Sequence, residues 1–200
     1  MAWVAPKDDW AAGDVLTAAQ MNIIGDGLQE EPGTVHLGTF TATAASSLDA
    51  QSVFSADFAN YQFVATITAM SAGTGSVGFR FMNGATPASG AIYANANWTW
   101  ASDATSGASG GGSDTSVTIL NASGAGFVRG ACKGFLSDPF TNDYSQFQIS
   151  STKLNTSTSF RAKLIYGSSN TATGYDGITL FPSSGTITGT LQVFGMAPRA

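Results

Sequence analysis

The sequence predicts a mainly β protein: an antiparallel β-sandwich, jelly-roll-like, preceded by a short N-terminal helical anchoring segment. Three observations carry this. From residue 34 onward, apolar and polar residues alternate with a period of two in run after run. Clusters of Gly, Ser, Asn and Asp separate those runs. The one well-marked helix start, "WAAGDVLTAAQMN" at residues 10–22, lies ahead of them all. Period two is the mark of half-buried antiparallel strands, because successive side chains leave opposite faces of the backbone. About ten short strands with turn signals between them suit two packed sheets.

The N-terminal unit spans residues 1–33. Thr17 fits a helix N-cap, and Gln20 completes a capping box in which each side chain satisfies an end N–H. Leu16 and Met21 form the matching hydrophobic staple. Met21, Ile24 and Leu28 repeat at spacings of three and four and make one narrow apolar seam. Gly25 and Gly27 weaken the helix by roughly 1 kcal/mol each relative to alanine. "EEPG" at 30–33 ends it. So short a helix is not stable alone in water. Its seam, with Trp3 and Trp10 nearby, therefore needs a partner.

The second unit spans residues 34–200. "YQFVATITAM" puts Tyr61, Phe63, Ala65, Ile67 and Ala69 on one face. "SVGFRFMN" puts Val77, Phe79 and Phe81 opposite Arg80. "SFRAKLIYG" sets Phe160, Ala162, Leu164 and Tyr166 against Arg161 and Lys163, so the first four are expected inside. "TITGTLQVFG" sets Ile187, Leu191 and Val193 against Thr188, Thr190 and Gln192. Weaker strands are expected at 34–41, 89–100, 115–121, 126–136, 145–150 and 177–181. "ASDATSGASGGGSD" at 101–114 is nearly all small and polar, and is expected to be an exposed, mobile loop. "SDPFTNDYS" at 137–145 is expected to be an ordered one.

Composition excludes several function classes. Charged residues are only 10% of the chain, against about 25% in typical globular proteins. The formal charge is −5, and the 8 Lys and Arg are scattered from Lys7 to Arg199. No basic face is on offer for nucleic acid or for an anionic membrane surface. No apolar run is long enough to insert in a membrane, and residues 1–25 carry no signal-peptide pattern, so synthesis in a cytoplasm is expected. The single cysteine, Cys132, cannot form an internal disulfide and reads as a small core residue.

Chemistry has few carriers. His36 is the only histidine and lies in the first expected strand, where a structural role is the default. Glu30 and Glu31 are the only glutamates, so paired acids for glycoside cleavage would have to be aspartates. Asp138, Asn142 and Asp143 could hold calcium through their oxygens, but their spacing matches no calcium loop and turn formation explains them. No catalytic residue, cofactor or metal is expected, and the protein is not expected to be an enzyme. Trp98 and Trp100 share a face with Ile92, Ala94 and Ala96. Either that face packs as core, or the rings and their polar neighbours, Asn97 among them, form a sugar-binding surface. Tyr175 beside Asp176 in "SSNTATGYDG" is a second candidate of that kind, with a turn as the default reading.

The stretch from Trp10 to Asn22 resembles a segment near the start of many bacteriophage virion proteins. There a tryptophan, then G-D/E-V-L-T-A-A and a helical Q/D-M/L-N, precede a helix and a β-rich domain. Trp10, Gly13, Asp14, Val15, Leu16, Thr17, Ala18, Ala19 and Asn22 match. The following "IIGDGLQ" is less helical than in that family, which suits a docking plug better than a long stalk. The β-region looks like the C-terminal sandwich of phage fibre and appendage proteins, in "YQFVATITAM", "SFRAKLIYG" and "GTITGTLQVFG". The resemblance implies a homotrimeric virion structural protein, joined to other virion proteins through residues 1–33. Trp3, Trp10, Leu16, Met21, Ile24 and Leu28 would carry the anchoring and oligomerisation. The sandwich would face outward, with a host-surface glycan or protein as its ligand and Asn97, Trp98, Trp100 and Tyr175 as candidate receptor contacts. A capsid-bound fibre or decoration protein is the alternative, and a polysaccharide depolymerase a weaker one.

Overall fold

The computed structural model describes residues 34–72, 75–102, 107–120, 127–155 and 160–198. The expected helix and all six anchoring residues, Trp3, Trp10, Leu16, Met21, Ile24 and Leu28, lie outside them. The described residues are mainly β and contain no helix.

Thirteen strands follow one another: β1 (Thr34–Ala45), β2 (Leu48–Ala50), β3 (Phe58–Met70), β4 (Val77–Asn83), β5 (Thr86–Pro87), β6 (Tyr93–Ala101), β7 (Gly107–Asp114), β8 (Val117–Leu120), β9 (Phe127–Ser137), β10 (Gln146–Asn155), β11 (Phe160–Ser169), β12 (Gly177–Pro182) and β13 (Ile187–Pro198). They form two antiparallel sheets. The larger has eight strands in the order β1-β13-β3-β9-β10-β11-β6-β7, and the smaller has five, β2-β12-β4-β5 with β8 also on β4. Such a two-layer arrangement is compatible with a β-sandwich. Each strand expected from alternation is present. The short β2 and β5 have too few residues to show a period.

The core lies between the layers. Phe79 and Phe81 of β4 enter it from the small sheet, and Tyr61, Phe63, Tyr93 and Phe147 meet them from the large one. Phe63 stacks on Phe79 with ring centroids 5.8 Å apart, and Phe147 lies 5.8 Å from Phe79. Burying each such side chain contributes about 1.5–3 kcal/mol. The polar tip of Tyr93 is satisfied: its hydroxyl accepts the Phe81 N–H at 2.9 Å and donates to the Ala88 carbonyl at 3.0 Å. Cys132 is a core residue, buried on β9.

Two expectations are overturned. Residues 107–114 are not a mobile loop but the edge strand β7, paired along β6 from Thr99↔Gly107 to Tyr93↔Asp114. With almost no side chains to place, its backbone needs only a neighbouring ladder. Asn95 Nδ2 donating to Asp114 Oδ2 at 2.8 Å, and Ser109 Oγ donating to Asn97 Oδ1 at 3.1 Å, pin it laterally.

The second correction concerns which way β11 faces. Its period of two is present, but Ile165 is the residue buried in the core, while Phe160 and Tyr166 are exposed. The phase is set by neighbours. Phe147 and Ile149 of β10 point inward and pair with Gly167 and Ile165. A Cβ on Gly167 would land on the Phe147 ring and on the Ala94 carbonyl, so the missing side chain makes room for that ring. Lys163 therefore turns inward too. Its Nζ donates to the Thr118 carbonyl at 2.6 Å, while its stem runs along the inner face.

Candidate functional site

The outward face of the large sheet is built by the same alternation that builds the core. Across β9, β10, β11 and β6, the registers Gln148↔Phe135, Gln148↔Tyr166 and Tyr166↔Ala96 make one row of side chains. The next row runs Lys133, Ser150, Leu164, Trp98, and the one after it Ala131, Thr152, Ala162, Trp100. Trp98 and Trp100 are each 45% exposed, Tyr166 51% and Phe135 40%. Phe160 and Leu154 are exposed further along the same face.

The two tryptophan rings lie 6.1 Å apart and are tilted by 50°. Tyr166 is diagonal to Trp98 across one strand pair, so these rings are neighbours. Phe135 stands two strands from Tyr166, roughly 9–10 Å away at the usual strand spacing. Between Phe135 and Tyr166 lies a depression of about 260 Å³, lined also by Ser137, Gln146 and Gln148. Gln148 Nε2 reaches the Tyr166 hydroxyl only at 3.5 Å. Lys133 Nζ sits 5.1 Å over the Phe135 ring.

A second concavity opens on the inner side of the β6–β7 edge, facing β8. It encloses about 500 Å³ and is lined by Asn95, Asn97, Ser109, Asp114, Thr118 and Lys163 among others, nearly all through polar atoms. Desolvation holds the Lys163 ammonium below the usual lysine range. Many of the polar atoms here already bond one another, as Asn95 does Asp114 and Ser109 does Asn97.

The sequence-based candidates thus separate. Trp98 and Trp100 lie together on the outer face and are not core. Asn97, just before Trp98 in sequence, points to the inner concavity. Tyr175 is only 2% exposed: its ring stacks on Phe81 at 4.7 Å, and its hydroxyl is shared with Ser169 Oγ at 3.0 Å and Thr171 Oγ1 at 2.9 Å. It braces the core and offers no surface to a receptor. Its neighbour Asp176 accepts the Gly84 N–H at 3.0 Å, a tie between loops.

The remaining candidates are occupied structurally. His36 Nε2 lies 3.0 Å from Thr39 Oγ1, and the ring packs against Phe194. Asn142 Oδ1 accepts the Gly174 N–H at 3.0 Å, and Asp143 Oδ1 accepts the Tyr144 N–H at 2.7 Å, so both oxygens serve the loop at 137–145. Among the described residues, no three His, Cys, Asp or Glu side chains come together as a metal site would require. Burial pushes the Cys132 thiol up to about 12, away from a reactive thiolate.

Phe135, Tyr166, Gln146 and Gln148 escape a sequence reading. Their strands alternate as expected, but nothing local says which parity faces water. No family model, curated protein or solved structure matches the chain.

Proposed function

We propose that this chain is a bacteriophage virion structural protein of the tail fibre or tail appendage type, with an outward-facing attachment domain. In this reading residues 34–200 form a jelly-roll-like β-sandwich that meets the host surface. Residues 1–33 supply a capped helix that docks it on another virion protein and helps to assemble a homotrimer. One observation carries the attachment role: four large aromatic side chains, Phe135, Tyr166, Trp98 and Trp100, stand exposed on one sheet face. Soluble proteins seldom expose clustered aromatic groups unless something binds there. The virion setting rests on the likeness of Trp10–Asn22 to the phage segment. The near-neutral polar surface, with charged residues at 10%, is in keeping with both.

Particles produced with residues 1–33 deleted should lack the protein, while the β-domain still folds when expressed alone. Normal incorporation of the truncated chain would sink the anchoring role. Antibody labelling should mark tails; labelling of heads would move the protein to the capsid-bound reading. Light scattering should give three times the 20.4 kDa chain mass, and a monomer at micromolar concentration would contradict the trimer.

A further inference from the structure

We propose that the outer face of the large sheet, along Phe135, Tyr166, Trp98 and Trp100, is a binding track for a neutral polysaccharide chain. The inference rests on the attachment reading above and names the ligand class.

Among the described residues, the rings have no core-packing task. Their strands fill the core with the opposite parity, through Leu136, Ile165 and Tyr93. The rings are also arranged in sequence rather than scattered. Trp100 lies 6.1 Å from Trp98, Trp98 is diagonal to Tyr166, and Tyr166 shares the depression of about 260 Å³ with Phe135. That depression has aromatic walls and an amide floor, Gln146 and Gln148 on β10. The 3.5 Å contact from Gln148 Nε2 to Tyr166 leaves most of that amide's bonding capacity open.

A sugar ring presents an apolar C–H face and an edge of hydroxyls. It needs flat apolar surfaces beside uncharged donors and acceptors, which is the composition of this track. Charge points the same way. The outward positions of β6, β9, β10 and β11 hold no carboxylate, and their cations are Arg129 and Lys133, the latter resting on Phe135. Two cations are too few for a polyanion to gain much.

A second copy of the chain fits less well. The polar row Gln146, Gln148, Ser150 and Thr152 runs down β10 and divides Phe135 from the other rings. The buried centre of a subunit interface is more continuously apolar than that.

The test uses the full chain and a panel of soluble neutral polymers: α-glucan, β-glucan, mannan and galactan. Migration in native gels containing each polymer, and tryptophan emission on titration, report binding. At least one polymer should retard the protein and shift its emission. Trp98→Ala and Tyr166→Ala should each weaken binding about tenfold with unchanged melting temperature. Trp98→Phe should keep part of the affinity. The proposal is overturned if none of the four polymers binds, if both alanine variants bind as the parent does, or if Trp98→Ala lowers the sedimenting mass, which would put the face between copies. Particle assays separate the two readings. Particles that incorporate Trp98→Ala normally but adsorb to host cells as well as the parent would end the polysaccharide track and leave the virion reading standing. Absence of the parent protein from particles would do the reverse.

Discussion

The two faces of the large sheet are made by the same strands, yet they behave as different materials. On the inner face Phe63 and Phe147 interlock with Phe79 of the small sheet, and Tyr61, Ile149 and Ile165 are fully or nearly fully enclosed. On the outer face Trp98, Trp100, Tyr166 and Phe135 are of similar size but stand in water. Side-chain chemistry alone does not distinguish them. Opposition does: among the described residues, only the inner face has a second sheet to fill its spaces. Residues that look alike in the sequence therefore divide into those that hold the fold and those left free to bind.

The sharpest way to break the comparison is to truncate one ring on each side. Phe79→Ala should destabilise the protein by about 3–5 kcal/mol, since the cavity lies between Phe63, Phe81 and Phe147. Tyr166→Ala should change stability by about 0.5 kcal/mol or less in either direction. Urea unfolding of both variants measures the contrast; equal losses would mean that the outer face is packed in the native protein.

A smaller effect tests what sets the phase of β11. Gly167→Ala should cost about 1–3 kcal/mol, because the added methyl meets the Phe147 ring and the rigid Ala94 carbonyl. Gly107→Ala, on the exposed edge strand with nothing near its Cβ, is the control and should be close to neutral. Comparable losses in the two would remove Gly167 from its role in placing Phe147.

The smallest effect concerns pH on the inner face. The Cys132 thiol is raised to about 12 in the folded chain by burial, against about 8.5 when exposed. Below about 8.5 both states keep the proton and the full contribution is present. Above it the unfolded chain loses the proton first, so stability falls as pH rises, by up to roughly 1.4 kcal/mol per unit. The pH dependence of Cys132→Ala should therefore be flatter than that of the parent above about pH 9. Parallel curves would mean that the thiol is not excluded from water.

Much of the fold was legible beforehand because period-two alternation is local. "YQFVATITAM" and "SVGFRFMN" declare both strand and buried face, since Tyr61, Phe63 and Ile67 in the first and Val77, Phe79 and Phe81 in the second share one parity. "SFRAKLIYG" declares the strand but misleads about the face. Its apolar residues favour the parity of Phe160 and Tyr166, whereas Gly167 and the Phe147 ring impose the other. The candidate site was half legible for the same reason. Trp98 and Trp100 attract notice as aromatics next to polar residues, with core and surface both open to them, but Tyr166 joins them only through the pairing of β11 with β6, and Phe135 only across β10. Tyr175 shows the limit in the other direction. It sits in a run of turn residues, yet the chain folds it back over Phe81.

What the sequence by itself determined is what neighbours along the chain can fix: strands from period two, breaks from Gly, Ser, Asn and Asp, and a composition poor in charge, with one histidine and one cysteine. Tertiary structure decided which parity of β11 is enclosed, that the glycine-rich "GASGGGSD" becomes an edge strand, and that four aromatic residues from three strands share one surface. The physical reason is that burial depends on whether another layer stands opposite. That depends on registers between residues far apart in sequence, and no local pattern encodes them.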